Sequence, residues 1–130
     1  MRARWIRIEP WGSWGALGAY VGLIFFLSAR QIPDSPLLFP HWDKVAHLIE
    51  YGLLGALSQR AARLTWPRTP WMRRGLVLLC GLGIALLDEQ FQASVPRRIP
   101  CLEDFAVNVI GLAVGLMVDL GSDRRARRAQ

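Results

Sequence analysis

Residues 43–55 read DKVAHLIEYGLLG. From Tyr51 onward the segment is apolar enough for a membrane helix, but the roughly two turns before it carry Asp43, Lys44, His47 and Glu50. Hydrocarbon penalises such residues by ~2.5–3.5 kcal/mol for an acid or arginine at mid-membrane, and less near the interface. The fold turns on whether this segment is a failed span or a span that faces other protein along its polar half.

The rest of the chain favours the second option. It has 130 residues, 52% of them hydrophobic, with a mean hydropathy of +0.23. Its formal net charge is +6 and its isoelectric point about 10.6, with Lys44 the only lysine. The arginines flank the apolar runs instead of interleaving with them, so the basic balance reads as cationic membrane flanks, not as a nucleic-acid surface. Cys80 lies in an apolar run and Cys101 in a loop, so no disulfide framework is expected and both read as small packing residues.

Four apolar runs are visible. The first, residues 11–29 (WGSWGALGAYVGLIFFLSA), approaches the ~20 residues that cross a bilayer. Arg2, Arg4 and Arg7 precede it as in a signal peptide, but the run is long for one, and we read an uncleaved anchor. The others, residues 45–58, 75–87 and 105–118, are each only about 13 or 14 residues, roughly 20 Å of helix. They reach spanning length only if their polar ends are included, which gives spans of about 11–29, 43–60, 74–92 and 102–120 in a single domain covering residues 1–130. Polar residues at such depth must face protein or a wet cavity.

Arginine placement orients the spans. The N-terminal segment (Arg2, Arg4, Arg7), the second connection (Arg60, Arg63, Arg68, Arg73, Arg74) and the tail (Arg124, Arg125, Arg127, Arg128) fall on one side, expected to be cytoplasmic. The opposite loops carry only Arg30 with Lys44, and Arg97 with Arg98. The tail DRRARRAQ then reads as an anchor on anionic lipid. The tryptophans cluster at span ends as an aromatic belt would. Gly12, Gly15, Gly18 and Gly22 in the first helix, and Gly111 and Gly115 in the fourth, are small residues that permit close helix approach.

This topology collects the polar residues at one end. Asp43, Lys44, His47 and Glu50 open the second helix; Asp88, Glu89 and Gln92 close the third; Arg97, Arg98, Glu103 and Asp104 lie in or after the next loop, and Asn108 opens the fourth. The opposite halves look almost free of ionisable residues. Asp43, His47 and Glu50 share one helical face, with Tyr51 beside it. Asp104, Asn108, Gly111 and Gly115 form a narrow stripe expected to point into the bundle. The result is an outward-opening polar cup.

Three chemistries suit such a cup. His47, Glu50, Asp88, Glu89 and Asp43 are acid–base candidates, with Arg98 placed to hold an anionic group bidentately. Asp43, His47, Glu50, Asp88 and Asp104 also offer donors to a divalent cation, although their spacing matches no known metal motif; no cofactor is otherwise expected. An ion or proton relay is the third option, opposed by the lack of a polar path to the other side. The bland alternative is a polar network that fixes helix register. Asp104, Asn108, Gln92, Lys44 and Tyr51 would bind or orient a ligand in the first reading and only one another in the last.

DKVAHLIEYGLLG, DEQFQ (residues 88–92) and RIPCLEDFAVNVIGLAVG (residues 98–115) resemble, in order, spacing and side, the three signature blocks of the VanZ-like family of small bacterial membrane proteins. FFLSARQIP (residues 25–33), with Ser28 and Pro33, is similar to the segment after that family's first helix. The pattern carried over is Asp43, Lys44, His47 and Tyr51; Asp88, Glu89 and Gln92; and Arg98, Asp104, Asn108, Gly111 and Gly115. Two positions depart from it: Arg97 stands where a small residue is usual, and Cys101 where Ser or Thr is common. The resemblance implies a cell-envelope role at the outer face of the bacterial cytoplasmic membrane, in a family named for a teicoplanin-resistance protein. It implies a motif and a setting, not a reaction.

The expectation is therefore an all-α, four-helix integral membrane bundle with both termini cytoplasmic. Its polar outer-leaflet site would bind, and in the enzymatic option hydrolyse or transfer, a lipid-linked or lipid-headgroup substrate, with an effect on glycopeptide susceptibility. The partners would be membrane lipids or a lipid-linked envelope precursor, and not nucleic acid. A non-enzymatic accessory subunit is the alternative, and an ion or proton relay the third.

Overall fold

The computed structural model describes residues 10–30, 41–96 and 102–128, with side chains as far as Val118 in the last helix. It contains four helices, α1 (Pro10–Ser28), α2 (Trp42–Thr65), α3 (Pro70–Ala93) and α4 (Leu102–Arg128), and no strand among the described residues. Pro10 and Pro70 sit at helix starts, where the missing N–H removes no intrahelical bond. Before α2, His41 adopts a left-handed conformation (φ 66°, ψ 22°) and so turns the chain into the charged segment. The four helices fall on the four apolar runs, and α2 and α4 continue past residues 60 and 120.

Contacts at the two ends define an up-down-up-down bundle. At one end Gln92 of α3 bonds Ser28 of α1, and Lys44 of α2 meets Asp104 of α4. At the other, Trp14 Nε1 donates to Thr65 Oγ1 (2.8 Å) while its ring meets Trp66 edge-on. Neighbours in sequence are thus antiparallel, and α2 runs parallel to α4.

The α2–α4 pairing is the most extensive in the bundle. Its cause is glycine. A methyl built on Gly111 would lie 2.6 Å from the Leu48 carbonyl oxygen, and one on Gly55 2.6 Å from that of Leu112; one on Gly115 would collide with the Gly52 carbonyl. Only hydrogen at these positions lets the backbones approach so closely. The first-helix glycines behave differently from expectation. Gly15, Gly18 and Gly22 have nothing within 4 Å of a built Cβ, because α1 packs through Ser13, Ile24 and Ser28 instead.

The interior is small: Ile24, Tyr51, Leu54, Ala85 and Leu112, backed by Leu17, Val21, Ile84 and Phe105. Leu23, Leu53, Leu79, Leu87 and Met117 point outward, while Asp88, Asn108 and Gln59 are fully buried. This distribution is the reverse of what water favours. By length and composition α1 and α3 suffice to cross a membrane. Cys80 is exposed on α3, among the outward-facing residues, and not packed as expected.

Candidate functional site

The polar end is built on a buried carboxyl. Asp88 lies in the last two turns of α3, with its side chain fully buried. The Tyr51 hydroxyl donates to its Oδ2 from α2 at 3.1 Å. Gln92, one turn further along α3, donates from Nε2 to the same oxygen at 3.2 Å and to Ser28 Oγ on α1 at 3.2 Å. One chain of hydrogen bonds thereby joins three helices. Tyr20 reinforces it, donating from its hydroxyl to the Glu50 carbonyl oxygen at 3.0 Å. The rings of Phe25 and Phe91 meet edge to face alongside.

At the rim, Lys44 is held by two acids of α4. Its Nζ lies 3.0 Å from Glu103 Oε2 and 3.0 Å from Asp104 Oδ1. The Glu103 side chain is 72% exposed and that of Asp104 15%, so the Asp104 arm is the less screened. Tyr51 lies two turns further along α2 than Lys44, about 10 Å of helical rise. The site thus has an ionic rim and a deeper hydrogen-bonded floor.

The floor has unused capacity. Among the described residues, Asp88 Oδ1, His47 Nδ1, and both Oδ1 and Nδ2 of Asn108 are buried without a hydrogen-bond partner. Each such atom costs about 1–3 kcal/mol of desolvation. Several such atoms gather on facing helices at this end, and Ser13 Oγ and both amide atoms of Gln59 are buried in the same way at the other.

Each expected site residue can now be located. His47, Tyr51, Asp88, Gln92 and Asn108 are buried; Lys44, Glu50, Glu89 and Asp104 are half-buried. Asp43, in the first turn of α2, is exposed, whereas His47 one turn further on is buried. Arg98, like Arg97 and Cys101, lies outside the described residues. No three His, Cys, Asp or Glu side chains among the described residues gather as metal ligands, so the cation option finds no donor set there.

The family model of VanZ/LLP1 matches residues 6–119. The chain belongs to the VanZ/LLP1 family. No curated protein and no solved structure matches it. VanZ/LLP1 membership and two apolar helices together point to a membrane protein.

Some site features of this VanZ/LLP1 chain were missed by residue chemistry. Ser28 ends an apolar run and showed only as part of the resemblance, yet it is buried against Gln92. Tyr20 read as one more apolar residue. The opposite halves of the helices are also more polar inside than expected. Gln59 is fully buried, Ser13 nearly so, and Arg73, taken for a flanking charge, is buried and donates from Nη1 to the Trp66 carbonyl at 3.2 Å. Arg73 there satisfies the free carbonyl end of α2, a role set by how α3 folds back on it.

Proposed function

We propose that this VanZ/LLP1 protein spans the bacterial cytoplasmic membrane four times with both termini cytoplasmic. Its polar end lies in the outer leaflet and binds the headgroup of a membrane lipid or lipid-linked envelope precursor. The observation that carries the reading is the buried Asp88, bonded through only one oxygen to Tyr51 and Gln92, beside the unpartnered Asn108 amide and His47 Nδ1. The outward-facing leucines and the arginine-rich opposite end support the membrane setting.

In this reading Asp88 and His47 contact the headgroup, Asn108 fixes its orientation, and Tyr51, Gln92 and Ser28 hold Asp88. Glu50 and Glu89 stand half-buried nearby as further acid–base groups. Arg98 would meet an anionic group at the mouth. If turnover occurs, His47 and Asp88 are the pair to move a proton in a hydrolysis or transfer. The test is glycopeptide susceptibility of cells carrying His47→Ala or Asp88→Asn at normal membrane abundance. Altered susceptibility in both variants is expected; wild-type behaviour in both sinks the proposal.

A second reading, a structural network in an accessory subunit, draws support from the hydrogen bonds that join three helices. It predicts that the same variants lose abundance instead of phenotype at equal abundance. A proton relay stands third. Gln59 supplies a buried polar group deeper in the bundle, but Leu54, Ala85 and Leu112 form an apolar layer between it and Asp88.

A further inference from the structure

This inference rests on the reading of the polar end as a ligand site. We propose that the floor of the site selects a neutral hydroxyl-bearing headgroup, such as a glycerol or sugar, over a bare phosphate or an ammonium group.

Most hydrogen-bond donors at the floor are already used. Both hydrogens of Gln92 Nε2 are committed, one to Ser28 Oγ and one to Asp88 Oδ2. The single hydrogen of the Tyr51 hydroxyl is committed to the same Asp88 oxygen. Among the side chains of Tyr51, Asp88, Gln92 and Asn108, what remains is two acceptors, Asp88 Oδ1 and Asn108 Oδ1, and one donor group, Asn108 Nδ2. His47 Nδ1 adds a donor or an acceptor according to its tautomer.

Packing sets these groups around one side chain. A methyl built on Gly111 would lie 3.2 Å from Tyr51 Cβ, so Tyr51 crosses α4 there, while its hydroxyl reaches Asp88 on α3. Asn108 lies three residues before Gly111 and four before Leu112, on the same face of α4. The Leu112 side chain rests on Gly81 of α3. One turn toward the polar end from that contact brings Asn108 on α4 level with Ala85 on α3, just below Asp88. Asp88 and Asn108 therefore both front the seam that Tyr51 fills from below.

Ligand chemistry follows from that inventory. A phosphate only accepts: it would satisfy Asn108 Nδ2, and the Asp88 carboxylate would repel it. An ammonium only donates: it would satisfy the two acceptors and leave Nδ2 without a partner. A hydroxyl both donates and accepts, so two hydroxyls give one hydrogen to each acceptor and accept from Asn108 Nδ2. At the rim, Lys44 is already held by Glu103 and Asp104.

The experiment uses the full chain purified in detergent and three lipids with identical acyl chains: phosphatidylglycerol, phosphatidylethanolamine and phosphatidic acid. Binding is read by native mass spectrometry and by thermal shift. The expected result is about tenfold tighter binding of phosphatidylglycerol than of either other lipid, the scale of one good hydrogen-bonded pair. Asn108→Leu should erase that advantage. Asn108→Asp keeps the side-chain size but removes the donor, and should turn the preference toward phosphatidylethanolamine; this holds as a test even if Asn108→Leu does not fold. Equal binding of phosphatidic acid and phosphatidylglycerol to the wild type, or a glycerol preference that survives both variants, overturns the proposal. If lipids bind without headgroup preference but Asp88→Asn weakens them, the hydroxyl claim fails and the lipid site stands. If no lipid binds, or Asp88→Asn changes nothing, both fail.

Discussion

At Asp88, burial and partnership pull in different directions. The carboxyl is fully enclosed, yet its Oδ2 takes two donors and its Oδ1 none. Removing a donor from such a group exposes the cost of desolvating it. Tyr51→Phe keeps the ring in the core and deletes only the hydroxyl. It should lower stability by about 1–3 kcal/mol, read from thermal or denaturant unfolding in detergent. A transition that overlays the wild type would mean that the Tyr51–Asp88 bond contributes nothing. His47 and Asn108 were recognisable in the sequence because helical spacing put them on inward faces. What faces each of them could not be read there, since helical period gives a side chain's direction but not the neighbour it meets.

Among the elements, α2 and α4 are bound by backbone proximity and α1 is not. The same residue type, glycine, plays opposite parts in them. A methyl on Gly115 would overlap the Gly52 carbonyl, whereas one on Gly18 meets nothing within 4 Å. Gly115→Ala should therefore destabilise the bundle by about 1–3 kcal/mol, as overpacking does. Gly18→Ala should leave stability unchanged or raise it by up to ~1 kcal/mol through helix propensity. Paired unfolding curves of the two variants check this, and equal effects would refute the packing assignment. The sequence showed both glycine stripes with equal force. Only tertiary packing decided that α4 uses its stripe against Gly52 and Gly55, and that α1 turns its own outward.

For the whole molecule, the charge asymmetry between the two ends predicts orientation. In a Cys80→Ser, Cys101→Ser background, a membrane-impermeant maleimide applied to intact cells should label Glu103→Cys and leave Arg127→Cys unlabelled until the cells are opened. The opposite pattern would invert the proposed topology. Four helices, their approximate limits and the gathering of polar residues at one end were all legible in the sequence. Apolar runs report burial away from water, and the spacing of their breaks reports where the chain turns; both are local properties. The tertiary structure alone decided that Asp43 stays outside while His47 goes in, that Ser28 and Tyr20 join the polar network, and that Arg73 and Gln59 are buried at the far end. Those outcomes depend on which helix lies opposite and in what register, and register is set by contacts between residues far apart in the chain.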